Sequence, residues 1–455
     1  MSQKHRVVVT GVGVIAANGD NTETFWQNCL KDVGIAESIP AHWYDYADYK
    51  STLWAPLPPL DFKALGFNRM EIMQRDPVSL LITAAAHQAI EHAQLKTELI
   101  NKRKNTFNLP GIDALRAGVF MGTGSGGYTT LFENQAHHLL QQPHKTLAEV
   151  LTRITDTDVQ ATLESLMAHL AVPNRFNPFG VPMAMANAVS ASVGIKFGLH
   201  GPNRTLTQAC ASGTLAVGHA FEAVQSGQVS FAITGGSEYI SSLNGGEFRS
   251  FDIAKTLIRD CDPIATANRP FDQQRSGFLF AQGGAGCLIL ESLDSAEQRQ
   301  APILAEVVGY AETFDADSML TLSPDGAQIV RMLDALLAQA QISPEQVDYI
   351  NAHGTGTQPN DSIESQILQQ QFPHKPLVNT TKSLIGHSFG ASGAIEAAVC
   401  VLSLRDQTTH VCHNLSEPIA PLNFVRESKK EQLQYALSES FAFGGHNTAL
   451  LFKRA

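Results

Sequence analysis

Three residues in this 455-residue chain combine a type and a setting suited to covalent chemistry: Cys210, His353 and His387. Cys210 stands in Gln208-Ala209-Cys210-Ala211-Ser212-Gly213. A short alternating run (204–207) precedes it, and Ala216, Val217, Ala220, Ala223 and Val224 follow at helical spacing. That order predicts a strand-to-helix turn with the cysteine at or just before a helix N-terminus, where amide donors and the helix dipole favour a thiolate. Ala211 and Gly213 leave room for a substrate. On residue type alone, such a cysteine reads as a small core hydrophobe. The histidines change that balance, because each sits beside a glycine after a predicted strand (347–352 for His353, 376–379 for His387). With the turn Phe443-Gly444-Gly445 they offer a nucleophile, polar catalysts and backbone amides, the parts needed for acyl transfer through a thioester.

The elements that must position these residues follow from composition and pattern. Hydrophobic content of 44% with 35 glycines describes a glycine-punctuated α/β protein of two similar halves or one duplicated unit. The net charge of -11 argues against a general nucleic-acid or anionic-membrane binder. Six cysteines without CxxC or other metal-ligand spacing read as reduced thiols of a cytoplasmic protein. The N-terminus enters a strand at once, so no signal peptide is expected, and no apolar run reaches membrane-span length.

Along the chain, residues 6–10 read as a strand leading into Gly11-Val12-Gly13-Val14-Ile15-Ala16. This matches the dinucleotide pattern GxGxxA, but the next helix starts only near Thr22, too late for a Rossmann loop. Residues 41–59, rich in Trp, Tyr and Pro, read as an excursion from the core. Residues 77–95 form an amphipathic helix, and 118–121 a strand opening into the tight turn Gly122-Thr123-Gly124-Ser125-Gly126-Gly127. Residues 128–170, polar and helical in pattern, read as a surface insertion whose His137, His138 and His144 are better taken as solvated than as metal ligands. The close-packed stretch 176–199, rich in Pro, Met, Ala and Ser, suits burial against a second copy of the chain. Ala391-Ser392-Gly393 and its alanine-rich helix echo Ala211-Ser212-Gly213, which suggests internal duplication.

Motifs over nearly the whole chain, in order, resemble the β-ketoacyl-acyl-carrier-protein synthases, condensing enzymes of the thiolase fold: RVVVTGVGVIAANG, GTGSGG, GPNRTLTQACASG, AITGGSE, RPFDQQRSGF, NAHGTGTQPNDSIES, NTTKSLIGHSFGASG and SFAFGGHN. The resemblance implies an α/β fold of five layers, αβαβα, built from two halves. Residues 1–300 would carry the nucleophile and the 128–170 insertion, and 301–455 the two histidines. It implies Cys210 as the acylated nucleophile, with the amides of Cys210 and Phe443 as oxyanion hole. His353 and His387 would hold the oxygen of the enolate formed by decarboxylation of a malonyl thioester. Lys382 and Glu364 match a supporting pair, Thr355 and Thr357 match contacts to the phosphopantetheine arm, and Phe443 matches an aromatic gate over the acyl pocket. No metal or separate cofactor is implied, since the substrate rides on acyl carrier protein. A dimer with an identical or related subunit is expected.

The chain departs from the family pattern in places. Arg275-Ser276-Gly277-Phe278 replaces Arg-Asp-Gly-Phe, Phe280-Ala281-Gln282-Gly283-Gly284 replaces a loop with an acidic residue, and the 128–170 segment is longer. Met73 and Gln74 stand where basic residues would dock the acidic carrier, leaving Arg69 and Arg75 for that contact or moving it elsewhere. The resemblance implies a role in fatty acid biosynthesis or in a polyketide- or polyene-type pathway, and these differences suggest a specialised paralogue of the latter kind. Two other readings are a non-catalytic chain-length partner, which would lack the nucleophile, and a thiolase, which would need a second cysteine in the terminal turn.

Overall fold

The computed structural model describes residues 4–169, 176–241 and 244–455. Leu170, at the end of the expected insertion, lies outside them. The main strands are β1 (Val7–Ile15), β2 (Ala117–Gly122), β3 (Asn203–Leu206), β4 (Phe231–Tyr239), β5 (Gly283–Ser292), β6 (Ala305–Phe314), β7 (Tyr349–Asn351), β8 (Leu377–Asn379), β9 (Asn423–Phe424), β10 (Tyr435–Ala442) and β11 (His446–Arg454). The principal helices are α1 (Pro77–His92), α2 (Tyr128–Leu151), α3 (Thr157–His169), α4 (Ser212–Gln225), α5 (Ala327–Ala340), α6 (Gln358–Gln371) and α7 (Ser392–Asp406).

Strand order and sense repeat. In the first half the order is β3-β2-β4-β5-β1, with β3, β2 and β4 parallel and the rest antiparallel. The second half runs β8-β7-β10-β11-β6 with the same senses, and β9 extends its edge. Three residues of β1 pair with three of β6 (Val7 with Val307, Val9 with Ala305), so the two sheets join at that end into eleven strands. α1 covers the outer face of the first sheet and α5 that of the second, while α4 and α7 lie between the sheets. These are the five layers αβαβα.

The glycines of the GxGxxA match have a packing role. β1 continues through them to Ile15, and a methyl group at Gly11 or Gly13 would stand 2.1 Å from Ala89 O or 1.9 Å from Ala85 O of α1. They let the helix lie against the sheet, which rules out a phosphate-binding loop. Segment 41–59 also differs from expectation. Trp43 and Trp54 are buried, their rings 5.1 Å apart, in an aromatic cluster with Phe248, Phe280 and Phe389. Within 128–169 the expected helices form as α2 and α3, but His137, read as solvated, is buried beside Phe176.

α4 and α7 form the centre. Residues 212–218 of α4 and 392–404 of α7 are buried, as two apolar helices between sheets must be. They meet through glycines at equivalent positions. A methyl group on Gly213 would stand 2.7 Å from Ala394 N, and one on Gly393 2.0 Å from Thr214 Oγ1. That close approach brings the two helix N-termini, and the turns before them, side by side.

Candidate active site

Each central helix is entered through the same sharp turn. Before α4 it is the 3-10 turn Ala209–Ala211, and before α7 it is Phe389–Ala391. Ala209 and Phe389, first in each turn, both take left-handed backbone angles, φ 43° and 49°. A side chain there costs about 1–2 kcal/mol. The second position holds Cys210 in one half and Gly390 in the other. The duplication therefore sets Cys210 of the first half opposite His387 of the second.

Cys210 Sγ lies 3.1 Å from Nε2 of His387. The Phe389 amide donates to Nδ1 of that ring (3.2 Å), with Ser392 Oγ 3.0 Å away. Nδ1 thus accepts, and the proton of the neutral ring sits on Nε2, pointing at sulfur. His353 is fixed in the same way. Lys382 Nζ donates to its Nδ1 (3.2 Å) and carbonyl (2.8 Å) and to Glu396 Oε1 (2.5 Å). Three acceptors require three hydrogens, so Lys382 is an ammonium and Nε2 of His353 carries the ring proton. The two imidazoles stand 5.7 Å apart, edge to face.

Burial dominates the electrostatics. It holds His353 well below the ordinary histidine range, with Lys382 and then His387 adding to the effect. His387 is lowered well below that range too, first by burial and then by Lys382. Burial pushes the Cys210 thiol up to about 12, while Lys382 pulls it down. The turn therefore does not produce a resting thiolate, contrary to the expectation from its helix N-terminus. What the fold supplies is a set of neutral N–H donors that stabilise negative charge as it develops.

The supporting residues differ from the expected pair. Lys382 pairs with Glu396 of α7, and Glu364 instead accepts the amides of His353 (2.6 Å) and Gly354 (2.8 Å). Burial raises the Glu364 carboxyl to about 7, and burial followed by repulsion from Glu364 holds Glu439 well above its usual range, so a proton resides on this pair near neutrality. Thr355 and Thr357 lie in the loop after His353, their hydroxyls 2.9 Å apart, where Gly354 and Gly356 take φ 39° and 85°. The end of β10 reaches Cys210: Ala442 packs with Cys210 and Ala211, and Phe443 follows, 38% exposed. Gly444 and Gly445 (φ 88° and 82°) are held to the 315–319 segment through Met319 O and Asp315 N.

Residues that pattern reading missed include Glu396, Ser392, Phe389 and Glu238. A lone glutamate inside the apolar helix α7 was the available signal for Glu396. Glu238, buried at the end of β4, accepts from Thr123 Oγ1 (3.2 Å), Gly124 N (2.7 Å), Ser125 N (3.2 Å), Ser125 Oγ (2.6 Å) and Gly390 N (3.1 Å). It is what the GTGSGG turn passes close to, and it ties that turn to the one before α7. The departing loops are also anchored. Arg275 binds Gln358 O and Ser362 Oγ, Ser276 Oγ accepts from Arg259 N, and Gln282 spans Leu57 N and Tyr239 Oη. Arg75 is drawn inward by Glu71 at 3.4 Å, which removes one of the two basic residues expected to meet a carrier. Among the described residues no cluster of three or more His, Cys, Asp or Glu could hold a metal ion, and no helix is long and apolar enough to cross a membrane.

A thiol against one neutral imidazole, with a second beside it, in a duplicated αβαβα frame is the equipment of a thioester-handling acyltransferase. The chain belongs to the beta-ketoacyl synthase family: the model of the N-terminal domain of these enzymes matches residues 4–296 and that of the C-terminal domain residues 304–416. It is 34% identical over 460 residues to 3-oxoacyl-[acyl-carrier-protein] synthase 2 of Staphylococcus aureus (strain COL), covering 100% of this chain and 99% of that one. Among solved structures it resembles the ishigamide ketosynthase/chain length factor (TM-score 0.81, 25% identity, 99% of this chain and 100% of that chain). It also resembles a chain of a type II PKS acyl-carrier protein in complex with its ketosynthase bound to the hexaketide (TM-score 0.78, 27% identity, 100% of both chains).

Proposed function

We propose that this protein catalyses decarboxylative condensation of an acyl thioester with a malonyl thioester, both carried on the phosphopantetheine of an acyl carrier protein. The observation that carries the reading is the 3.1 Å contact of Cys210 Sγ with an Nε2–H of His387, beside a second imidazole set in the same tautomer. In the first half-reaction Sγ attacks the acyl carbonyl, and the thiol proton leaves with the pantetheine sulfur. The amides of Cys210 and Phe443 receive the oxyanion. In the second, the malonyl thioester loses CO2, and its enolate oxygen accepts from the Nε2–H groups of His353 and His387. The carbanion then forms the new carbon–carbon bond at the acyl carbon, the C–S bond to Cys210 breaks, and the sulfur regains a proton. Neutral histidines suit this chemistry, because a donor that holds its proton stabilises the enolate without quenching it. The steps balance without a metal or redox group.

Lys382 and Glu396 hold His353, Glu364 holds its loop, Thr355 and Thr357 lie where the pantetheine arm would enter, and Phe443 on its glycine hinge gates the acyl pocket. We read the chain as two halves meeting near residue 300. The carrier would meet exposed Arg69 and the basic hairpin turn Lys102-Arg103-Lys104. Arg69 and Arg103 rim a groove of about 380 Å³ lined by Met70 and Met73. Val181, Met185 and Ile195 are 76%, 51% and 60% exposed beside the open edge strand β3, a face suited to an identical or related subunit. The presence of Cys210 with both histidines favours an active subunit over a chain-length partner. A cytoplasmic setting accords with the free thiols.

The test is product analysis with an acyl carrier thioester and malonyl carrier. A β-ketoacyl product and one CO2 per turnover are expected. Acyl exchange without carbon–carbon bond formation would contradict the reading.

A further inference from the structure

The residue after His387 and Ser388 breaks a backbone rule. Phe389 is a bulky side chain at φ 49°, where its counterpart in the other half is alanine. Its ring lies flat on the His387 imidazole, centroids 5.0 Å apart and planes 15° from parallel, while its amide donates to Nδ1. Phe251 (5.2 Å), Phe278 (5.9 Å) and Phe280 (5.1 Å) wall the ring in, and it is 6% exposed. In the first half this turn presents a nucleophile. In the second it presents an aromatic plate to the catalytic histidine.

We propose that Phe389 is a positioning residue that clamps His387 in the plane and tautomer aimed at Cys210 and keeps water from the carbanion formed there. This rests on the condensation reading above. The groups facing His387 from the packed elements are Cys210 from the first turn, His353 from the loop after β7, and Lys382 from the short helix Lys382–Ile385, with Glu396 of α7 and Glu238 of β4 behind them. None of them shields the ring face that Phe389 covers. Without the plate, water reaches the imidazole and the carbanion. A carbanion that takes a proton from water leaves an acetyl thioester and hydroxide in place of a condensed product.

The experiment compares wild type with Phe389→Ala, Phe389→Gly and Phe389→Tyr, each first checked for an intact fold by thermal melting. Two ratios are read: acetyl thioester to β-ketoacyl thioester, and the decarboxylation rate at about pH 6 to that at about pH 8. Alanine tolerates this backbone angle at position 209, and glycine relieves any strain, so both variants keep the amide and lose only the ring. Both are expected to raise the abortive fraction at least about fivefold and to shift the acid limb upward, with tyrosine restoring wild-type values. Alanine and glycine variants with unchanged ratios would overturn the proposal. Failure of the condensation reading would show in wild type itself, as no β-ketoacyl product.

Discussion

Lys382 Nζ stands 3.2 Å from Nδ1 of His353, and that contact decides which nitrogen of His353 faces the reaction. Its other two hydrogens go to the His353 carbonyl and Glu396, so the ammonium is used completely. Lys382→Met should therefore lose the tautomer control and leave Glu396 buried without its partner. CO2 release from malonyl carrier is expected to fall about 10²-fold, with acyl loading of Cys210 retained. Breaking the buried pair should cost about 3–5 kcal/mol in urea unfolding. Equal loss of both half-reactions would place Lys382 elsewhere in the mechanism.

Both histidines are held well below the ordinary value of 6.5, so both stay neutral as pH falls through that value. Decarboxylation measured with a saturating donor should be flat through about pH 6–8. Its acid limb should appear only well below the usual histidine range. A midpoint near 6.5 would mean that the site is wetter than described.

Glu238 satisfies five donors on two turns and so ties them together. Glu238→Ala would strand buried amides and loosen the turn before α7. An unfolding cost of about 2–4 kcal/mol is expected, with loss of both half-reactions. A variant that keeps wild-type stability would refute this role.

Gly213 and Gly393 let α4 and α7 touch. Gly393→Ala would drive its methyl into Thr214 Oγ1, which already shares a hydrogen bond with Ser440. Overpacking there should cost about 1–3 kcal/mol and pull the two turns apart, slowing acylation of Cys210. Unchanged melting and loading rates would contradict it.

Much of the fold, and the setting of the three candidate residues that it brings together, were legible in the sequence because their signals are local. Cys210, His353 and His387 each sit in a short glycine-marked turn, and the repeated Ala-Ser-Gly announces the second central helix. What could not be read was pairing between distant segments. Lys382 meets Glu396 rather than Glu364 because α7 carries Glu396 back past the lysine. Glu238 finds Gly124 and Gly390 only once both turns are stacked by the helix crossing. The glycines of β1 look like a phosphate loop until α1 is seen lying on them. Trp43 and Trp54 look like surface excursion residues until Phe248 and Phe280 arrive from far along the chain to bury them. The left-handed angle at Phe389 has no sequence signature, because nothing in its type announces it.

Every step above depends on Cys210 carrying the acyl chain. Intact-mass measurement after incubation with a panel of acyl-carrier proteins, beside Cys210→Ala, tests it most directly. The wild-type protein should gain the mass of one acyl group and the variant none. Acylation that persists in Cys210→Ala, or a folded wild-type protein that no donor loads, would contradict it.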